Sequence, residues 1–579
     1  MTGRGVTGRG STGPGSTGPG STGPGSTGRA HRGTGRGIAA AAGLIALVTL
    51  AARIVGFARW LEFSRSVGAT CVGTVYQAAN SLPNVLFEVA AGGALAAVAV
   101  PLVAGAIGRG RPAEADRIGS ALLTWTVTLL APATILLALL AGPIGRWLVD
   151  EGECPGGGEL AAYLLRLFAP QVLLYGIGIV LGGVLQAHRR FLAAALAPLL
   201  SSLVVIASYA AYGHLAAGTT SIADVPGSAT LALAGGTTLG VVMLSLPLVI
   251  PLWRTGIRLR PTLGFPPGAA ARIRHLAGAG ILALLAQQYA LVATIVVTNR
   301  SGAGVLNVHT YVQAVYLLPY AVLAVPLAIS TFPALATMDG ATSASARGAA
   351  GSEHDAAVPV LARSLRAVLL LGAVGAGVLA AVSRPIGEFF ANLDAGRSTN
   401  AGGEVLAAMP DAVLAFAPGL PSLCVAALLT RALYVRGRPL LAGSAVAAGW
   451  LVAGSVPLVL VLPGSDPAHA LVVLGLASSV GMTIAALDLV AATARSWGSA
   501  AVGGLRRTTI VSVGAAGLAA ATGLGLTTVW TVDGLGPAVV QGLVAGLSAM
   551  LVAGAVVALA DKETAGAAGA AVTRARRRS

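Results

Sequence analysis

The stretch NSLPNVLFEVAAGGALAAVAVP, from Asn80 to Pro101, sets a proline, a carboxylate and paired glycines inside an apolar run long enough to cross a bilayer. Crossing hydrocarbon about 30 Å thick takes about 20 helical residues. A charged side chain at the centre of such a helix costs roughly 2.5–3.5 kcal/mol on insertion scales, and it is retained where it faces a water-filled cavity or a partner. Just upstream, RIVGFAR (Arg53 to Arg59) places two guanidiniums near the far end of the preceding apolar run. Polar groups in two successive spans, one of them interrupted, describe helices that wall a cavity, as a membrane transporter requires.

Composition agrees. Of 579 residues, 55% are hydrophobic and only 10% charged, against about 25% charge in ordinary soluble domains, and the mean hydropathy is +0.81. Aromatics make up 5%. The apolar content is therefore Ala, Leu, Val and Gly, which suits close helix–helix contact in lipid. The net charge of +16 would suggest nucleic acid in a soluble protein. Here the arginines lie in short loops between apolar runs, where membrane topology accounts for them and no nucleic-acid partner is expected.

Residues 1–36 repeat a pentapeptide (TGRGV, TGRGS, then TGPGS three times); so little apolar surface predicts a disordered basic tail. Fourteen apolar runs follow, near 38–60, 72–106, 118–142, 159–186, 191–213, 228–253, 275–298, 305–337, 358–382, 404–434, 439–462, 467–493, 507–531 and 535–560, with an interfacial stretch at Gly145–Asp150. Alternate loops carry arginine (Arg109/Arg111/Arg117, Arg189/Arg190, Arg254/Arg258/Arg260/Arg272, Arg436/Arg438, Arg495/Arg506). The intervening loops are poor in arginine and hold acids such as Glu151, Asp224, Asp394 and Asp466. By the positive-inside rule both termini face the cytoplasm, as an even number of spans also requires. No cleavable signal peptide is evident, the first run reading as a retained span.

The chain also repeats itself. TVYQAANSLP (Thr74 to Pro83) aligns with TYVQAVYLLP (Thr310 to Pro319), and Phe168-Ala169-Pro170 is answered by Phe416-Ala417-Pro418; at that second offset Leu185, Arg190 and Leu192 answer Leu433, Arg438 and Leu440. The offset is an even number of spans, so the repeat is parallel, with its pseudo-axis along the membrane normal, as in carriers built from two rocking lobes. The expected organisation is a tail at 1–36, an N-lobe at 37–255, a cytoplasmic linker at 256–273, a C-lobe at 274–498, two further spans at 499–560 and a basic tail at 561–579.

Candidate site residues come from this layout. Arg53 and Arg59, six residues apart, point about 120° from each other on a straight helix; a bend at Gly56 between them would turn both toward one cavity. A guanidinium fork holds a phosphate bidentately. The bland alternative has Arg59 snorkelling to the interface and Arg53 paired with Glu88. In the second span Pro83 lacks an N–H and frees a carbonyl. Asn80 and Asn84 flank it, and Glu88 lies four residues beyond Asn84 on the same face, as a counter-ion for Arg53 or a coupling-proton site. Gln313 lines the start of the eighth span, whose Pro319, Pro326 and Pro333 mark a segment built to bend. Asp411, Arg431 and Asp488 read as interfacial or paired. Cys71 and Cys154 fall in two outward loops, where either a disulfide or two free thiols is chemically allowed. No ATP-binding loop, zinc-protease motif, serine-hydrolase elbow or metal cluster occurs, so no metal site, cofactor or enzyme activity is expected; membrane potential or a coupling ion would supply the drive.

Five segments together resemble the MurJ/MviN family of the MOP transporter superfamily: RIVGFAR from Arg53; LPN from Leu82 with AGGAL from Ala91 and VAVP from Val98; FAPQVLLYGIG from Phe168; VLQAHRRF from Val184; and LPSLC from Leu420 with RALY from Arg431. The resemblance spans roughly residues 38–500. It implies an all-α polytopic fold of two six-helix lobes around a cationic cavity plus two C-terminal helices forming a lipid-facing groove. It also implies movement of an undecaprenyl-linked peptidoglycan precursor, lipid II, across the bacterial cytoplasmic membrane, with membrane lipids and cell-wall synthesis proteins as further partners. Arg53 and Arg59 match the family's two first-helix arginines. Phe87 and Glu88 stand where proteobacterial members add arginine, Ala314 and Leu317 where they carry Arg and Glu, and Trp60 where an acid follows the second arginine, so this cavity is the less cationic. The rival expectations are export of another lipid-linked polysaccharide, drug/cation antiport, and a non-transporting scaffold for cell-wall synthesis.

Overall fold

A computed structural model describes residues 30–89, 93–149, 151–254, 256–265, 269–324, 327, 331, 335, 354–395, 400–530 and 532–560. Among the described residues all regular structure is helical. The chain divides into two compact units, Met1–Leu47 and Val48–Ser579. In the first, the described residues are helical; α1 (Ala30–Ser66) begins inside the segment expected to be a disordered tail.

In the second unit, the helices of the first half are α2 (Cys71–Phe87), α3 (Gly93–Gly108), α4 (Pro112–Leu139), α5 (Ala141–Leu148), α6 (Gly157–Phe168), α7 (Pro170–Ala187), α8 (Phe191–Ala216), α9 (Gly227–Ser245) and α10 (Val249–Arg254). The second half holds α11 (Ala269–Arg300), α12 (Val305–Pro319), α13 (His354–Ala381), α14 (Ser383–Asp394), α15 (Asn400–Ala407), α16 (Met409–Phe416), α17 (Gly419–Val435), α18 (Pro439–Leu460) and α19 (Pro467–Trp497), with α20 (Leu505–Val529) and α21 (Leu535–Ala560) after them.

Ten described helices are long and apolar enough to cross a membrane, and the bent pair at α16 and α17 makes up to eleven. Of the three remaining apolar runs, 72–106 and 305–337 include residues outside the described set, and 38–60 lies in α1, which is not among the helices counted; the expected number of fourteen therefore stands at ten or eleven among the described residues. The stretch Gly145–Asp150, expected at the interface, is mostly the end of α5, which packs on α6.

Small residues let these helices touch. Where α18 crosses α19, a Cβ on either Gly449 or Gly481 would strike the carbonyl of the other. Backbones can approach that closely only without side chains, and this is how packing is gained where lipid offers no hydrophobic drive. The last pair works alike: Ala515 and Ala519 of α20 and Ala549 and Ala553 of α21 gather with Ala381 of α13, while Ile510, Val513, Leu547 and Leu551 remain exposed. Residues 505–560 thus add an apolar outer surface to the second half.

The repeat is visible in the backbone. The Phe-Ala-Pro triplets interrupt one span in each half, α6/α7 and α16/α17, the second bent by 50°. Proline at the first helical position has no N–H to leave unpaired and stops the preceding helix from running on. The triplet therefore breaks both spans in the same place.

The two halves are joined at the end that carries Cys71 and Cys154. These cysteines form a disulfide with Cα atoms 5.5 Å apart, resolving the alternative left open by the sequence. Beside it the Gly304 N–H donates to Thr74 Oγ1 at 2.8 Å, and Asn307 Nδ2 donates to the Gly68 carbonyl at 2.9 Å. Gly68 and Gly304 are equivalent in the repeat (both 236 residues apart, like Thr74 and Thr310), and both have positive φ, +73° and +85°. The two glycines stand at equivalent positions but bond differently, Gly304 donating its N–H and Gly68 accepting at its carbonyl, and each supplies a backbone conformation that other residues rarely adopt. Asp394 Oδ2 accepts from the Ala69 N–H at 3.1 Å, and Asn299 Nδ2 donates to the Leu148 carbonyl at 2.6 Å. Four hydrogen bonds between buried groups close this end.

Candidate functional site

The second apolar run breaks later than its proline suggests. α2 continues through Pro83, which is buried, and the ladder loosens into a π turn at Glu88 and Val89; residues 90–92 lie outside the described set, and Gly93 opens α3. α12 behaves likewise: it ends at Pro319, the repeat partner of Pro83, and a π turn covers Tyr320–Ala324. In both, a proline leaves a carbonyl unpaired one turn back, and the ladder re-registers past it. Single π turns of this kind concentrate at functional sites. The helix irregularity expected at Pro83 thus falls at Glu88, five residues on. Pro326 and Pro333 lie outside the described residues.

Glu88 stands half-buried at this turn and lines a cavity of about 420 Å³ with Asn84, Phe87, Tyr175, Gly182 and Gln186. It makes no ion pair among the described residues, so Arg53 is not its counter-ion: the ion pairs are Arg65–Glu62, Arg109–Glu114 and Arg111–Glu114.

The arginines of α1 are placed otherwise than expected. α1 runs unbroken through Gly56, so the helix is not interrupted between the two side chains. Arg53 is exposed, whereas Arg59 is half-buried, with its Nε buried and unpaired. The Arg59 guanidinium sits 5.0 Å from the Trp60 ring centre, a cation–π contact. Tyr76 Oη bonds Tyr209 Oη at 3.0 Å and Thr237 Oγ1 at 2.9 Å, and Phe63 packs against both rings. Tyr175 lines the Glu88 cavity, and Arg59 is not among that cavity's lining residues. Asn84 reaches that cavity. Asn80 lies behind it, half-buried with its Oδ1 unpaired, and Gln313 is half-buried on α12 with no part in the cavity lining.

A second cavity, of about 510 Å³, opens in the other half between the Tyr320 turn, α17, α18 and α19. Its lining matches that of the first by the repeat: Tyr175, Gly178, Gly182, Gly183 and Gln186 on α7 become Leu423, Ala426, Thr430, Arg431 and Tyr434 on α17, each 248 residues on, and Asn84 becomes Tyr320, 236 on. The first cavity is lined by one carboxylate and no cation; the second by one cation, Arg431, and no carboxylate. Its position in the sequence makes Arg431 look interfacial or paired. A signal for its true place is nonetheless present there: the Phe168-to-Phe416 offset, carried along α7, sets an arginine where the first half has Gly183.

Loop position also misleads at Asp394. It groups with the outward acids, yet its side chain is fully buried at the closed end. Among the described residues no three His, Cys, Asp or Glu side chains gather as a metal site would require.

The profile of the family described as "Lipid II flippase MurJ" matches residues 63–542. A protein of Synechocystis named as a probable lipid II flippase MurJ is 30% identical over 241 residues, 40% of this chain and 43% of the relative. The lipid II flippase MurJ of Burkholderia cenocepacia is 25% identical over 302 residues, 50% of this chain and 55% of the relative. The chain thus matches about half the length of these relatives. In three dimensions it superposes on a lipid II flippase MurJ in an inward closed conformation with a TM-score of 0.65 and 16% identity, covering 89% of this chain and 98% of that one. It also superposes on an inward-facing multidrug resistance MATE transporter of the MOP superfamily, with a TM-score of 0.56, 16% identity and coverage of 80% and 99%. At these identities the superpositions show the fold.

Proposed function

The chain belongs to the MurJ family of lipid II flippases, and from that premise we propose that it carries an undecaprenyl-diphosphate-linked peptidoglycan precursor across the bacterial cytoplasmic membrane by alternating access. The observation that carries the reading is Arg59: a half-buried guanidinium whose Nε is buried and unpaired, with no carboxylate within ion-pair reach among the described residues. Such a group is costly in a membrane unless it meets an anion there, and a diphosphate is the anion its fork fits.

In this scheme Arg59 grips the diphosphate, and Arg53, about 9 Å deeper along α1 at 1.5 Å per residue, holds it at an earlier or later point of the path. Asn84 supplies uncharged polar lining to the Glu88 cavity, and Asn80 and Gln313, outside that lining, meet the cargo elsewhere on its path. Glu88 at the π turn is a site for a coupling proton or ion, and the turns at Glu88 and Tyr320 flex as the lobes rock. The N-lobe covers 37–255 and the C-lobe 274–498, with 499–560 the added pair. The arginine-rich loops and both termini face the cytoplasm. The end closed by the four inter-half hydrogen bonds then faces outward, so the structure stands for the state closed to the outside. The work is transport, without covalent chemistry.

The test is complementation of a bacterium depleted of its lipid II flippase, together with exposure of lipid II on the outer leaflet. Wild type restores both, and Arg59→Ala, present at normal levels, restores neither. Normal growth on Arg59→Ala would refute the anion grip. One observation favours a second reading: a carboxylate in a first-half cavity of a fold shared with a MATE transporter suits cation-coupled export of a different cargo. Failure of the wild-type chain to restore growth, with normal insertion, would select it.

A further inference from the structure

Arg431 lies on α17 in the second half, apart from the path assigned to Arg53 and Arg59. It is half-buried, its Nη1 donates to the Ala427 carbonyl of its own helix at 2.6 Å, and no described carboxylate is within 4 Å of it. A guanidinium has five N–H donors, so one backbone carbonyl leaves most of its capacity open. The phenols of Tyr320 and Tyr434 line the same cavity, as does Thr430. The rest of the wall is apolar, with Trp450 and Met482 at the far side.

We propose that this cavity is an anion subsite that takes the phosphate of an amphiphilic lipid, with Arg431 as its cation, Thr430 and Tyr434 as hydroxyl donors, and the Trp450 side as the seat of the chain. Three observations converge on it. The cavity unites a cation and hydroxyls with a hydrocarbon wall, the complement of a phosphate on an alkyl tail. It occupies the same place in its half as the Glu88 cavity does in the other, so the two are one site of the repeat with opposite polarity: Gly182 and Gly183 have become Thr430 and Arg431. And Arg431 is four residues from the end of α17 that leads into the Arg436/Arg438 loop, about 6 Å at 1.5 Å per residue, so a headgroup entering from that side has a short way to reach it.

Two lipids share this chemistry: the transported polyprenyl diphosphate and a resident anionic phospholipid. Only the first rests on the flippase reading. The experiment is lipid titration of the purified full-length protein by native mass spectrometry, with undecaprenyl diphosphate, phosphatidylglycerol and phosphatidylcholine as separate probes. The proteins are wild type, Arg431→Ala, Arg431→Lys and Tyr434→Phe, each checked for an unchanged melting temperature. We expect Arg431→Ala to weaken at least one anionic lipid tenfold or more and to leave phosphatidylcholine unchanged, with Lys and Phe in between. A loss confined to undecaprenyl diphosphate makes the cavity a substrate subsite; a loss confined to phosphatidylglycerol makes it a phospholipid site. Wild-type affinity for both anionic lipids in Arg431→Ala overturns the proposal; should that variant fail to fold, wild-type affinity in both Arg431→Lys and Tyr434→Phe does so. Failure of complementation by the wild-type chain would sink the flippase reading and leave this binding result standing.

Discussion

Replacing Asp394 with alanine should open the end that the disulfide marks. Its carboxylate is fully buried and accepts from the Ala69 N–H at 3.1 Å across 325 residues of sequence. A hydrogen bond to a charged group is worth about 1.5–3 kcal/mol. When the halves part, water replaces it on both partners, so the variant loses this stabilisation only in the closed state. At about 1.4 kcal/mol per tenfold, the closed-to-open ratio should fall roughly 10- to 150-fold. A ratio that began near 99:1 would end between about 10:1 and parity. Asp394→Asn keeps an acceptor oxygen without the charge and should shift the ratio only about fivefold. The assay is electron-resonance distance measurement between spin labels at Ser221 and Ser465, in loops of the closed end in the first and second halves. Cys71 and Cys154 are bonded to each other and Cys424 is buried, so no native thiol competes for label. A second, longer distance should appear in Asp394→Ala. A distribution identical to wild type, in a folded protein, would refute the idea that this clasp holds the end shut.

Arg59→Lys should keep partial function where Arg59→Ala keeps none, since an ammonium retains charge without the bidentate fork; equal complementation by both would argue against phosphate geometry. Arg53→Ala should impair complementation less than Arg59→Ala, because its side chain is exposed while Arg59 is half-buried, and the reverse order would restore the deeper arginine as the principal grip. The Cys71→Ser/Cys154→Ser pair should lower the melting temperature: the bridge closes a loop of 83 residues, for which chain entropy gives about 4.5 kcal/mol, an upper figure because helices that stay in lipid have less entropy to gain. An impermeant thiol reagent applied to cells should label a cysteine placed at Asp466 and spare one at Arg258; the opposite pattern would invert the orientation.

The class of this protein is written in its apolar runs. Run length against bilayer thickness, and arginine in alternate loops, are properties of local sequence, and the helices track them closely. The parallel repeat is legible too, because proline and the Phe-Ala-Pro triplets act on the backbone wherever they stand. What local sequence cannot decide is which way side chains point and which distant residues meet. Gly56 permits a break, but permission is not a force, and α1 continues unbroken through it. Pro83 locates a fault in the ladder, yet the helix holds until Glu88, because neighbouring helices, and not the proline alone, determine where the loosened turn fits. Asp394 reads as an outward acid and is buried, its partner 325 residues away, a pairing no window of sequence contains. Arg431 reads as interfacial when depth is judged from its distance to a loop. Only the packing of α17, α18 and α19 around it turns a charge near a helix end into the wall of a cavity. Helices form from interactions a few residues apart and are therefore legible in the chain, whereas a cavity is the space several helices leave between them, and tertiary packing alone determines its lining.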